Sequence, residues 1–212
     1  MNKSSSKSAG NRALLKLALV IALGLGAGVA MFMATTRYSP NGSGASATAV
    51  DDLAGLVDQN GASFDPAVLK GRYALIYFGF TMCPDACPTA LYNQTLALAQ
   101  LDAEAQRIQP VFVSVDPARD TPEKIAGYLS HFSGRIIGLT GSAEAIQLVA
   151  QSFGVIAVEH RDEAMPGGYT MDHSNEFLLL SPTGKLLMRL PAAQSSKQLL
   201  EALRGLTRAE AV

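Results

Sequence analysis

The first long apolar stretch of the chain, Leu17 to Thr36 (LALVIALGLGAGVAMFMATT), carries no charge. At about 1.5 Å per residue, its length is what a helix needs to cross roughly 30 Å of hydrocarbon. Farther along, Tyr73 to Gly79 and Pro110 to Val115 are short, nearly continuous apolar runs. Such runs suit strands buried on both faces, as in a parallel sheet. Between and after them, apolar residues return at helical spacing over Pro88 to Ala105, from Pro122 to about Phe132, from Ser142 onward, and over Ser195 to Thr207.

Boundary residues sharpen these elements. Thr121 is a natural N-cap with Pro122 at the first helical position. Ser142 caps the next helix, and Glu144 in its first turn suits the helix dipole. Ser195 and Gln198 form a capping box ahead of a face made by Leu199, Leu200, Leu203 and Leu206. Asn60-Gly61 predicts a small hairpin near Leu56 to Phe64. Arg135 to Leu139 and Val155 to Glu159 read as short strands. His160 to Asp172, with Pro166-Gly167-Gly168, reads as a polar loop. Ser174 to Leu180 and Lys185 to Leu190 pair around Pro182-Thr183-Gly184. Strands alternating with helices, closed by a hairpin and a helix, predict an α/β fold with a mixed central sheet flanked on both faces.

A length of 212 residues accommodates one domain with its own core and an appendage. Residues 1–16 hold Lys3, Lys7, Arg12 and Lys16 and no acid, so they are expected to stay cytoplasmic by the positive-inside rule. Residues 17–36 then form a transmembrane anchor, residues 37–52 a flexible Ser/Gly/Ala-rich linker, and residues 53–212 a domain outside the membrane. A cleavable signal peptide shares the basic start, but its apolar core runs only about 7–15 residues; the uncleaved anchor is preferred. The net charge is −1, with no basic block beyond the N-terminus, which argues against nucleic acid as a partner.

The chain has two cysteines, Cys83 and Cys87, too few for a disulfide scaffold. They fall between the end of a long strand and the start of a helix. With that placement the architecture matches a thioredoxin-like fold, whose ligand sites lie beyond the carboxyl ends of the strands. On a helix, i and i+4 share one face, so the pair suits either a metal ion or a disulfide. Spacing alone leaves the two open. If a metal binds, thiolates select soft ions, and two cysteines are too few for an iron–sulfur cluster or a closed zinc site. Two sulfurs with one imidazole suit copper.

The chain offers three imidazoles. His131 lies in a helical pattern and reads as a surface or packing residue. His160 stands beside Arg161 and Asp162 and reads as solvated. His173, between Met171-Asp172 and Ser174-Asn175, has polar neighbours able to orient its ring, and it is the favoured ligand. Met82 and Met171 flank these positions and read as packing residues.

Three segments in order carry a resemblance. They are Phe78-Gly79-Phe80-Thr81-Met82-Cys83-Pro84-Asp85-Ala86-Cys87-Pro88, then Ser114-Val115-Asp116-Pro117-Ala118-Arg119-Asp120-Thr121-Pro122, then Tyr169-Thr170-Met171-Asp172-His173-Ser174. Together with Ile137 to Gly141 they resemble the Sco/SenC family, copper-binding assembly factors of cytochrome c oxidase, over Leu56 to Leu206. The resemblance implies that Cys83, Cys87 and His173 hold one copper, Cu(I) or Cu(II), per chain. Asp85 and Asp172 either tune the site or are solvated acids. The Asp116 to Pro122 segment reads as a structural turn and helix cap near the site.

The implied partners are the oxidase subunit carrying the dinuclear copper centre and a thiol reductant or other copper carrier. Two functions follow as expectations. One is a membrane-anchored copper chaperone; the alternative is a thiol–disulfide reductase that keeps the cysteines of that centre reduced. A weaker third is a copper or redox sensor. The short basic segment ahead of the apolar span favours a bacterial inner membrane, with the domain in the periplasm, over a mitochondrial address.

Overall fold

A computed structural model describes residues 49–132 and 135–209. The expected basic tail, transmembrane anchor and most of the linker lie outside the described residues, as does the side chain of Leu206. Among the described residues no helix is long and apolar enough to cross a membrane. Packing begins ahead of residue 53, because Ala49–Leu53 forms a 3-10 helix whose Val50 and Leu53 are buried.

The strands are β1 (Val57–Asp58), β2 (Tyr73–Gly79), β3 (Ile108–Ser114), β4 (Ile137–Thr140), β5 (Ala157–Arg161), β6 (Tyr169–His173), β7 (Glu176–Leu180) and β8 (Leu186–Pro191). The α-helices are α1 (Ala86–Ala99), α2 (Pro122–Leu129), α3 (Ala143–Ser152) and α4 (Ser196–Ala209). Six strands form one mixed sheet in the order β1-β4-β3-β2-β7-β8. β2, β3 and β4 run parallel at its centre, and β1, β7 and β8 each pair antiparallel with a neighbour. Every residue of β2 and β3 is buried, as their nearly continuous apolar runs predict for central strands covered on both faces.

Side chains show how the two faces are filled. Space above Gly79 is taken by Tyr77, Phe112 and Cys87 of α1, and space above Gly138 by Ile125 and Leu129 of α2. On the opposite face Phe153, just after α3, packs on Phe78 of β2, their ring centroids 5.7 Å apart. Leu199, Leu200 and Leu203 of α4 are buried. The domain is the expected thioredoxin-like arrangement of a mixed sheet between helices.

Several boundaries differ from the sequence expectation, each for a physical reason. The helix expected over Pro88 to Ala105 begins at Ala86 and ends at Ala99. A 3-10 helix, Asp102–Arg107, follows, with Asp102 at φ 48° turning the chain. α2 stops at Leu129 rather than near Phe132. Around Asn60-Gly61 the Asp58 carboxylate accepts the N–H of Asn60 and of Ala62. That closes a tight turn with a single bridge between Val57 and Ser63 rather than a full hairpin. The largest difference is in the polar stretch His160 to Asp172. Its ends are not loop; they join β5 and β6 into a two-stranded ribbon outside the main sheet, with Ala157 opposite His173 and Arg161 opposite Tyr169.

Candidate metal centre

The candidate site sits where β2 and β3 deliver their carboxyl ends. β2 finishes at Gly79, whose carbonyl accepts the N–H of Val115 at 2.8 Å. The chain then turns, with Cys83 N–H donating to Phe80 O, and enters α1 at Ala86. Cys87 is therefore the second residue of α1 and is fully buried. Cys83 lies in the preceding loop, half-buried. This corrects the expectation that both sulfurs stand on one helical turn. The i, i+4 spacing still brings them together, but through a helix N-terminus.

Asp85 stands at the N-cap position and makes no side-chain cap bond. The Cys83 sulfur takes that role, accepting the Cys87 N–H at 3.3 Å. Helix N-termini favour negative charge there. The Cys83 thiol is pulled down to about 4, chiefly by the hydrogen bond from the Cys87 thiol. Burial pushes the other way, and contacts with His173 and the N–H groups of Cys87 and Asp85 add to the lowering. Cys87 moves strongly upward, because its proton is engaged by Cys83, its sulfur is buried and the Cys83 charge repels a second anion. The pair is thus a thiolate and a thiol sharing one proton.

His173 ends β6 and brings its Nε2 to 3.4 Å from the Cys87 sulfur. Its Nδ1 lies 3.1 Å from the carbonyl oxygen of Ser174, an acceptor only. Nδ1 therefore carries a proton, and its bond to that carbonyl turns Nε2 toward the sulfurs. Tyr77 and Phe80 hold the ring edge-to-face from two sides, at 6.0 and 5.8 Å. The Tyr77 hydroxyl donates to Asn175 at 3.0 Å, tying β2 to the start of β7 beside His173. Donors sharing one first-row ion, at roughly 2.3 Å for sulfur and 2.0 Å for nitrogen, stand about 3.5 Å apart. The Cys87–His173 spacing fits that. Among the described residues no three His, Cys, Asp or Glu side chains already stand close enough together to hold an ion. The Cys87 proton must leave before both sulfurs face one ion.

The other candidates fall elsewhere. His131 is exposed, its Nδ1 3.1 Å from Tyr128 O. His160 is exposed on β5, opposite Thr170. Asp85 is exposed and accepts from Thr89 at 3.3 Å. Asp172 is the exposed residue of β6, whose other four residues are half-buried, and it lies on the face opposite Tyr169, Met171 and His173. Met82 and Met171 pack against the core.

Sequence reasoning missed how tightly the Asp116 to Pro122 segment is joined to the site. Asp120 is fully buried and accepts Thr81 N–H at 3.0 Å, the Thr81 hydroxyl and the Ser114 hydroxyl. It thereby fixes the start of the cysteine loop. Asp116, also buried, pairs with Arg119 and accepts the Tyr169 hydroxyl at 2.8 Å. Thr121 caps α2 as expected. A cavity of about 460 Å³ opens beside this segment, lined by Val115, Ile146, Val158 and Met171 among others and by none of the three candidate ligands.

A thioredoxin-like domain bearing a dithiol and an imidazole at the carboxyl ends of its parallel strands is the class this geometry defines. The SCO1/SenC family model matches residues 46–208, and the chain belongs to that family. An SCO2-like protein of Rickettsia conorii is 43% identical over 151 residues, covering 71% of this chain and 73% of that protein. Among solved structures, copper-bound ScoI of Bradyrhizobium japonicum aligns with a TM-score of 0.64 at 35% identity, over 70% of this chain and 94% of that one. Copper-bound yeast Sco1 aligns with a TM-score of 0.65 at 33% identity, over 72% and 85%.

Proposed function

We propose that this chain is a membrane-anchored copper chaperone that supplies the dinuclear copper centre of cytochrome c oxidase during its assembly. Residues 17–36 hold it in a bacterial inner membrane, and the domain from residue 53 works in the periplasm. Copper is its cargo, one ion per chain, held by Cys83, Cys87 and His173. The observation that carries this reading is the convergence of the His173 Nε2 on the Cys87 sulfur at 3.4 Å, with the Cys83 sulfur accepting the Cys87 N–H beside it. The copper-bound relatives support it. So does the resemblance of the three motifs to a family that serves this oxidase.

The residues divide the work. Cys83, partly exposed, offers a ready thiolate to incoming copper, and the buried Cys87 closes behind it once its proton leaves. His173 completes the set from a ribbon outside the main sheet. Transfer then proceeds by ligand exchange with thiolates of the receiving subunit. Two sulfurs with one imidazole accept either Cu(I) or Cu(II). A reduced pair is a precondition, so a thiol reductant or another copper carrier stands upstream.

A second reading rests on the same thiolate. The Cys83 anion attacks one sulfur of a target disulfide and displaces the other as a thiolate. Cys87 then gives up its proton and attacks Cys83 within the mixed disulfide. The target leaves reduced by two electrons, and Cys83–Cys87 becomes the disulfide. His173→Ala separates the readings. A chaperone loses copper transfer to the purified oxidase subunit, whereas a reductase keeps its disulfide-reducing rate.

A further inference from the structure

His173 reaches the thiols at the end of a two-stranded ribbon, and two strands alone are marginally stable in water. The ribbon lies outside the six-stranded sheet, and β5 is exposed over most of its length. Something must hold it down. Tyr169 and His173 lie four residues apart on one face of β6, about 13 Å along a strand. Whatever grips Tyr169 therefore sets the pose of the strand that ends in the imidazole.

The grip comes from a single loop. The Tyr169 hydroxyl donates to Asp116 at 2.8 Å. Arg119 donates through Nη1 to Tyr169 O at 2.8 Å and to Pro166 O at 2.7 Å, and its guanidinium lies 3.7 Å from the centre of the Tyr169 ring. Arg119 is itself aligned by Asp116. Four residues after Asp116 on the same loop, Asp120 holds Thr81 at the start of the cysteine loop. Residues 116–120 thus tie the dithiol and the imidazole to one support.

We propose that Arg119 and Tyr169 are positioning residues that clamp the β5–β6 ribbon and thereby set how long His173 remains over the two sulfurs. The proposal rests on the copper-carrier reading of the site. With the clamp closed, the ribbon holds the imidazole on the ion. With it open, the ribbon swings out, the ion is left on two sulfurs, and its escape quickens. Neither residue touches the ion. Arg is needed because its planar fork reaches two carbonyls and a carboxylate while stacking on an aromatic ring, which a Lys ammonium does not reproduce.

The test uses the reduced full-length chain in detergent, loaded with copper, and its Tyr169→Phe and Arg119→Lys variants. Copper loss to a chelator is followed by stopped flow. Amide hydrogen exchange is measured on the metal-free proteins. Each variant should lose copper about tenfold faster, the effect of one charge-assisted hydrogen bond. Exchange should quicken across residues 157–161 and 169–173 while β2, β3 and α1 keep wild-type protection. Alkylation of Cys83 should stay within about twofold of wild type, since the clamp acts on the ribbon and not on the thiols. Unchanged copper loss, or exchange that rises equally in the central strands, overturns the proposal. A wild-type chain that retains no copper overturns the carrier reading instead, so the two failures are distinguishable.

Discussion

The sulfur of Cys83 accepts the backbone N–H of Cys87 across 3.3 Å, so one cysteine caps the helix that carries the other. The two thiols are therefore unequal. Cys83 is an anion at neutral pH, and Cys87 keeps its proton. Alkylation of the reduced chain by iodoacetamide should modify Cys83 first. Its rate should hold nearly constant from pH 8 down to about pH 5 and fall only as the thiolate is protonated. Equal labelling of both cysteines, with a midpoint at the ordinary thiol value of 9.0, contradicts this.

The same asymmetry enters stability. Cys83 is depressed on folding, so its contribution is fully present above the unfolded value of 9.0 and is lost as pH falls through about 4. Cys87 is raised, so its contribution is present below 9.0 and is lost at higher pH. Urea midpoints of the reduced chain should climb from pH 5 to pH 8 relative to Cys83→Ser. Parallel curves for the two proteins over that range contradict the assignment.

Copper loading should release about one proton per ion near pH 7, because only Cys87 still holds one. Calorimetry in buffers of different ionisation enthalpy counts it. Two protons released would mean that Cys83 starts as a thiol.

Gly79 has no room for a side chain. A Cβ there would lie 2.9 Å from Tyr77, 3.0 Å from Phe112 and 3.0 Å from the Cys87 sulfur. Gly79→Ala should cost about 1–3 kcal/mol as overpacking and push Cys87 off its line to His173. Denaturant unfolding and copper affinity read the two effects. A variant as stable as wild type, with the same affinity, shows that this contact yields freely.

Two tyrosines behind the site should respond oppositely. Tyr77 donates to Asn175, and Tyr77→Phe should cost about 1 kcal/mol. Tyr128 is raised by burial and by the nearby Cys87, Cys83 and Asp120, and its buried hydroxyl finds no partner among the described residues. Tyr128→Phe should be neutral or stabilising. Melting temperatures check both, and a loss at Tyr128 equal to that at Tyr77 contradicts the account.

Much of this was legible in the sequence for identifiable reasons. β2 and β3 showed themselves because a strand covered on both faces is mostly apolar, and the polar residues β3 does hold, Gln109 and Ser114, are buried with hydrogen-bond partners. Thr121 and Ser142 marked their helices because caps are local chemistry, and each hydroxyl accepts the N–H three residues on. The β5–β6 ribbon was half legible: Val155 to Glu159 reads as a strand, but β6 does not, since a half-exposed strand needs no apolar run and the Pro166-Gly167-Gly168 turn looks like any loop. The helix N-terminus between the cysteines was legible only in part: the pair reads as opening a helix, but the sequence pattern starts it at Pro88 rather than Ala86, although Asp85 stands at the N-cap position. The roles of Asp116, Arg119 and Asp120 were beyond reach for a different reason. Their partners, Tyr169 and Thr81, are distant in sequence, and only folding brings these groups within hydrogen-bond distance.

The central claim is that Cys83, Cys87 and His173 act as one copper site, and titrating the reduced full-length chain beside His173→Ala tests it most directly. The account predicts saturation at about one copper per chain, with a thiolate-to-Cu(II) absorption band, and a loss of at least about tenfold in affinity when the imidazole is removed. A reduced wild-type chain that binds no copper, or a His173→Ala variant that binds it as tightly as wild type, would contradict it.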